Sequence, residues 1–138
     1  KALPKMIDQI AYNPSWEKGM AGSVYTGMSL LPDTVDGNMI VLGDMPLLTT
    51  YTLNQLIEQF CIHDGKQIIY PVYSGQQANP VIFPRKYFSE ILSSTGDRGC
   101  KKVLKQYPDD AIGISIDSEE VILDCDNKDD YYSILSKI

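Results

Sequence analysis

The stretch Asn38-Met39-Ile40-Val41-Leu42-Gly43-Asp44-Met45-Pro46 decides how the chain is read. Four of its first five residues are apolar, without alternation. Such a run fits a strand at 39–42 covered on both faces in a parallel sheet. The run stops on Gly43-Asp44. Gly43 lets another group come close to the backbone, and Asp44 sets a carboxylate at the carboxyl end of the strand. Ligands of open α/β sheets bind at that end. Pro46 then takes the chain out of the sheet. A fixed carboxylate there can hold Mg²⁺ against a phosphate, or it can simply turn the chain.

Upstream, 1–7 has helical spacing, and Ile10-Ala11-Tyr12-Asn13 reads as a short strand ending at Pro14. Gly19-Met20-Ala21-Gly22-Ser23 reads as a small-residue loop, with Ser23 capping a helix that carries Val24, Met28 and Leu31. Downstream, Thr52-Leu53-Asn54-Gln55 has the form of a capping box for a helix with Leu53, Leu56, Ile57 and Phe60 on one face. Asp64-Gly65 stops it. A strand follows at 67–73, then a loop at 75–80 and a short strand at 81–83. Pro84 suits a first helical turn, and Tyr87, Phe88, Ile91 and Leu92 make the buried face behind it. Another helix turns Val103 and Leu104 inward. Strands are expected at 111–116 and 120–125. Asn127 caps a last helix, with Tyr132, Leu135 and Ile138 toward the core. Strands alternating with helices predict an α/β layered domain with a mostly parallel sheet.

The 138 residues suit a single domain, 1–138. Hydrophobic residues at 43% and charged residues at 22% give a soluble balance. A net charge of −6 argues against a nucleic-acid surface, which needs basic clusters. No apolar run is long enough to span a bilayer, and no signal peptide is visible. Cys61, Cys100 and Cys125 lack metal-ligand spacing and read as reduced thiols, which points to the cytoplasm. His63 is the sole histidine, so nucleophilic mechanisms that need one rest on it alone.

Three constellations can carry chemistry. Asp124 and Asp126 flank Cys125, and in a strand both carboxylates point to one side. With Asp44 they would make a divalent-metal site; alone they are a solvated acidic turn. The 19–23 loop can lay amides against a ligand. Gly96-Asp97-Arg98-Gly99-Cys100-Lys101-Lys102 is the densest positive cluster and can hold a phosphate, or Asp97 can cap a helix with solvated cations behind it.

Taken in order, these pieces resemble the MobA-like NTP transferases, especially the molybdenum cofactor cytidylyltransferases. Gly19-Met20-Ala21-Gly22-Ser23 resembles the family's GM-x-x-S loop. Leu42-Gly43-Asp44-Met45-Pro46 is similar to its metal-binding LGDMP. The 75–80 segment resembles its G-x-x-G-H-P loop, Gly96-Asp97-Arg98-Gly99 its GD-x-G helix start, and 124–130 its DIDTPED ending. The resemblance implies a Rossmann-like nucleotidyltransferase fold. It implies attack by a pterin phosphate on the α-phosphorus of CTP, with pyrophosphate released. Asp44 and Arg98 would be catalytic, and Asp44, Asp126 and Asp124 would hold Mg²⁺. Gly22, Ser23 and Gly43 would lie at the nucleotide, and Asn79, Asp97 and Lys101 at the acceptor. The partners implied are a nucleoside triphosphate, the pterin cofactor and a molybdenum hydroxylase, with no nucleic acid and no membrane.

The departures carry information too. Ala78 and Asn79 stand where the family loop has Gly and His, which bears on the acceptor. The glycine-rich triphosphate loop that opens the family pattern has no counterpart here. The chain therefore reads as the carboxyl-terminal part of such an enzyme, inactive alone, with a strand edge at 39–42 left for dimerisation or a domain swap. Two other readings stand beside this one. One is a non-catalytic accessory protein for cofactor insertion. The other is a sugar- or polyol-phosphate cytidylyltransferase of the same fold.

Overall fold

The computed structural model describes residues 9–93 and 99–138, so the helical spacing at 1–7 and the Gly96-Asp97-Arg98 segment lie outside the described residues. One sheet contains β1 (Gly37–Ile40), β2 (Ile68–Tyr73), β3 (Gln76–Gln77), β4 (Val81–Pro84) and β5 (Ala111–Ser115). β2 is the middle of it. β5 lies parallel on one side, while β3 and β4 pair antiparallel on the other. β1 pairs antiparallel with β4, with Ile40 opposite Val81.

The α/β layering holds, but the expected mostly parallel sheet does not: the one parallel pair among the described residues is β2 with β5. The cause is the connection after β2. Ser74 and Gly75 both take positive φ, 48° and 78°. That two-residue turn folds the chain straight back as a hairpin, whereas a parallel neighbour needs a long crossover. The returning strand occupies the place between β1 and β2. β1, β2 and β5 nevertheless run in one direction, so their carboxyl ends share one end of the sheet.

The strand read at 39–42 is shifted and differently placed. It ends at Ile40, is half-buried throughout, and among the described residues has β4 alone beside it. The strand read at 10–13 is irregular, with Ile10 69% and Tyr12 80% exposed. The strand read at 120–125 is instead a 3-10 turn at Glu119–Val121 followed by irregular chain. The Ser118 hydroxyl accepts the Glu120 N–H and starts that turn.

Alternation along the strands divides the core. Ile68, Val81 and Phe83 face α1 (Met20–Met28), α3 (Phe88–Ser93) and α4 (Gly99–Gln106), where Met28, Tyr87, Ile91, Val103 and Leu104 meet them. Ile69 and Ile82 face the other way, against Leu56 of α2 (Thr50–Ile62). Fully burying such a side chain contributes about 1.5–3 kcal/mol. α2 is capped by Thr49, whose hydroxyl accepts the Thr52 N–H, three residues before the expected cap. It stops as expected, with Asp64 and Gly65 left-handed and the Gly65 N–H on the Phe60 carbonyl. α5 (Lys128–Leu135) has the expected Asn127 cap, closed into a capping box by Asp130. Its inward residue is Ile134, while Tyr132, Leu135 and Ile138 are exposed. The helix meets the body along one narrow stripe, helped by the Lys137–Glu119 ion pair.

Asp110, just before β5, accepts from both the Tyr87 hydroxyl and the Lys86 ammonium. The bond from Lys86, then that from Tyr87, holds its pKa below the ordinary 3.8. Burial, then the Asp110 bond, pushes the Tyr87 phenol up. A carboxylate with a lowered folded pKa adds stability that is full above its unfolded value and lost as pH falls through the folded one. Asp110→Asn is therefore expected to lower the urea midpoint near neutral pH, and to converge with the wild type as pH falls below 3.8. Urea titrations at stepped pH check this.

Candidate functional site

Beyond Ile40 the chain leaves the sheet and turns at Gly43-Asp44. The Asp44 carbonyl accepts the Cys125 N–H at 2.9 Å. This main-chain bond sets the two acidic loops side by side although the second is not a strand. Farther back, the Val121 carbonyl accepts the Asn79 N–H at 3.1 Å, which draws in the loop after β3. Three separate segments thus meet at the shared carboxyl end of β1, β2 and β5.

They border a cavity of about 410 Å³. Met20, Ala21 and Val24 of α1 form one wall, Leu42 and Met45 another, and 76–79 a third. Cys100, Lys101 and Leu104 of α4 and Val121, Ile122 and Asp124 close it. Of the candidate site residues read from the sequence, Asn79, Lys101 and Asp124 line the cavity. Asp44 and Asp126 are exposed at its border loops, and the Asp126 N–H is held by the Asp130 carboxylate at 3.1 Å.

Gly22 and Ser23 are not in a loop. α1 starts at Met20 with Gly19 as its cap, so both lie in the first turn. The reason is Gly19, whose φ of 113° takes a conformation that suits glycine, leaving Met20 free to begin the helix. The Ser23 hydroxyl accepts from Asn13 at 3.1 Å instead of capping. A Cβ at Gly43 would meet nothing within 4 Å, so its turn opens onto free space. Arg98 and Asp97 lie outside the described residues.

Among the described residues, no three His, Cys, Asp or Glu side chains form a ready-made metal cage. The donor chemistry present is two adjoining loops of exposed carboxylates. Hard oxygen donors of that kind suit Mg²⁺ or Mn²⁺ with phosphate oxygens and water completing the shell.

Sequence reasoning missed the neutral wall. Gln76, Gln77 and Met45 line the cavity without belonging to any charged pattern, and Cys100, an uncharged residue inside the positive cluster, lines it too. Met45 was in plain view next to Asp44. Burial pushes the Cys100 thiol up to about 11. A thiol raised in the fold keeps its stabilising contribution below its ordinary 9.0 and loses it as pH rises through about 11. Cys100 is therefore expected to be alkylated slowly at neutral pH and progressively faster toward pH 11, and occupancy of the cavity should protect it. Peptide masses after timed alkylation read both effects.

The fold and this end of it define an α/β layered domain that gathers acidic loops, a helix start and a cleft at one edge of its sheet. The chain belongs to the MobA-like NTP transferase domain family, whose model matches residues 2–111. Rv0371c from Mycobacterium tuberculosis H37Rv is similar at 25% identity and TM-score 0.74, covering 86% of this chain and 60% of its own. The same protein in complex with manganese matches at 25% identity and TM-score 0.72, over 84% of this chain and 61% of that one. The homolog from Mycobacterium sp. strain JC1 matches at 25% identity and TM-score 0.71, over 83% and 56%. The chain thus spans about three fifths of the length of these structures. No curated protein matches it significantly. Among the described residues, no helix is long and apolar enough to cross a membrane.

Proposed function

We propose that the chain is the acceptor-side part, a single partial domain, of a metal-dependent nucleotidyltransferase that moves CMP from CTP to a phosphate of the molybdenum pterin cofactor. The observation that carries this is the 2.9 Å bond from the Cys125 N–H to the Asp44 carbonyl, which sets two acidic loops together beside the cavity. Membership of the NTP transferase family supplies the reaction class.

In this reading Asp44, with Asp124 or Asp126, holds a divalent cation, as the manganese complex of Rv0371c suggests. Such a cation, Mg²⁺ in the cell, would offset the charge of the nucleotide phosphates and of the developing transition state. The open turn at Gly43 lets the nucleotide approach the main chain. The first-turn amides of α1, including Gly22 and Ser23, favour its anionic groups through the helix dipole. Lys101, and Arg98 beyond the described residues, attract the acceptor phosphate, while Asn79 and Asp97 orient the acceptor. The acceptor oxygen attacks the α-phosphorus, and the bond to pyrophosphate breaks. Positioning and charge carry the step, so no covalent protein intermediate is needed.

The free thiols Cys61, Cys100 and Cys125 suit a cytoplasmic enzyme, and a molybdenum hydroxylase would receive the product. The outer edge of β1, which among the described residues has no strand beside it, is where a second copy or a swapped strand would pair.

In the natural protein that carries this chain, Asp44→Asn is expected to lower kcat about a hundredfold. Its stability should move by less than about 0.5 kcal/mol, because the side chain is exposed and the structural bond is main-chain. Pyrophosphate release with CTP and Mg²⁺, read beside a thermal melt, decides. Full turnover by Asp44→Asn would remove the carboxylate from the mechanism.

A further inference from the structure

One buried carboxylate takes no part in the chemistry above. Glu120, in the 3-10 turn at Glu119–Val121, is only 8% exposed. Its Oε1 accepts from the Thr49 hydroxyl at 3.1 Å and from the Thr52 hydroxyl. Thr52 is itself 2% exposed. The ion pairs among the described residues are Arg85–Asp33, Lys86–Asp110 and Lys137–Glu119, so none of them neutralises Glu120. A buried charge without a cation is costly. Here the compensation is two hydroxyl donors and the positive end of α2.

Position gives this arrangement a use. Thr49 lies five residues after Asp44, and Glu120 four residues before Asp124. The Glu120 clamp therefore joins the stem of one acidic loop to the stem of the other. Val121, its neighbour, holds the Asn79 loop through its carbonyl. A carboxylate only accepts, so both threonine hydroxyls must point at it. That leaves the Thr49 oxygen to accept the Thr52 N–H at 3.3 Å, and one geometry of the α2 start is selected.

We infer that Glu120, acting through Thr49 and Thr52, is a positioning residue that sets the spacing of Asp44 and Asp124 for a divalent cation and nucleotide. The inference rests on the metal-dependent reading above. Both hydroxyls donate to the one oxygen Oε1, so Glu120→Gln can keep both contacts but removes the charge that strengthens them, and so loosens the clamp without emptying it.

The test uses the full-length natural protein, with Mn²⁺ and CTP as probes. Free Mn²⁺ is followed by electron paramagnetic resonance, and kcat and KM for CTP by pyrophosphate release. Glu120→Gln is expected to weaken Mn²⁺ binding about tenfold and to lower kcat by a similar factor, as loss of a group supporting metal ligands does. KM for CTP should stay within about twofold, because uniform nucleotide binding is untouched. Thr52→Val should follow Glu120→Gln, and Thr52→Ser, which keeps the hydroxyl, should restore the wild-type values. If Glu120→Gln does not fold, the Thr52 pair carries the same test. Wild-type Mn²⁺ binding and kcat in both Glu120→Gln and Thr52→Val would overturn the inference alone and leave Glu120 a structural cap. A wild-type protein that binds no Mn²⁺ with CTP present would overturn the metal reading itself, and this inference with it.

Discussion

β2 is the constraint on which the structure depends. It has neighbours on both sides, and both its faces are covered. Ile68 and Ile69, adjacent in sequence, are each fully buried, one against α1, α3 and α4 and the other against α2. Every layer is therefore defined relative to this strand. The tight Ser74-Gly75 turn at its end dictates where the next strand goes, and with it the order of the sheet. Because β1 and β5 run the same way as β2, their loops emerge at one end, and the cavity forms there.

The candidate site is built on that end in two tiers. Beneath it lies a small apolar cluster of Ala78, Ile116 and Val121, which closes off the sheet below the loops. Above it the loops are joined by hydrogen bonds whose donors and acceptors are mostly main chain. Charge is sparse inside the cavity, where a high-pKa thiol and carboxamides share the lining with Lys101 and Asp124. Asp44 and Asp126 sit exposed at the border, where water can reach them until a ligand arrives.

How much was legible in the sequence depended on whether a signal was local. The strands read at 67–73 and 111–116 are present at Ile68–Tyr73 and Ala111–Ser115, and Asp64-Gly65 and Asn127 mark helix ends where the structure has them. The order of the motifs was enough to recognise the family. Strand direction was not legible from periodicity, because parallel and antiparallel strands can carry the same apolar run. The signal that could have corrected it, a two-residue Ser-Gly connection too short for a crossover, was read only as part of a loop. Helix starts erred by four residues at Ser23 and by three at Thr52. In both cases a hydroxyl that looked like a cap is engaged elsewhere, with Asn13 or with Glu120. Asp124 and Asp126 were paired with Asp44 by a strand argument that fails. The neighbouring loops are held by one long-range backbone bond, which no spacing rule contains.

The bonds that draw Asn79 to Val121 and Cys125 to Asp44 are made by N–H and carbonyl groups. Any residue other than proline can supply them. The side chains of Asn79, Asp44 and Cys125 are thus not needed for those bonds and can change at little cost to them, while Val121 stays fixed in the apolar cluster beneath. Ala78 and Asn79, the two departures from the family loop, sit beside such a bond. A scaffold joined in this way keeps its fold while its side chains change; this chain and Rv0371c share 25% identity at a TM-score of 0.74.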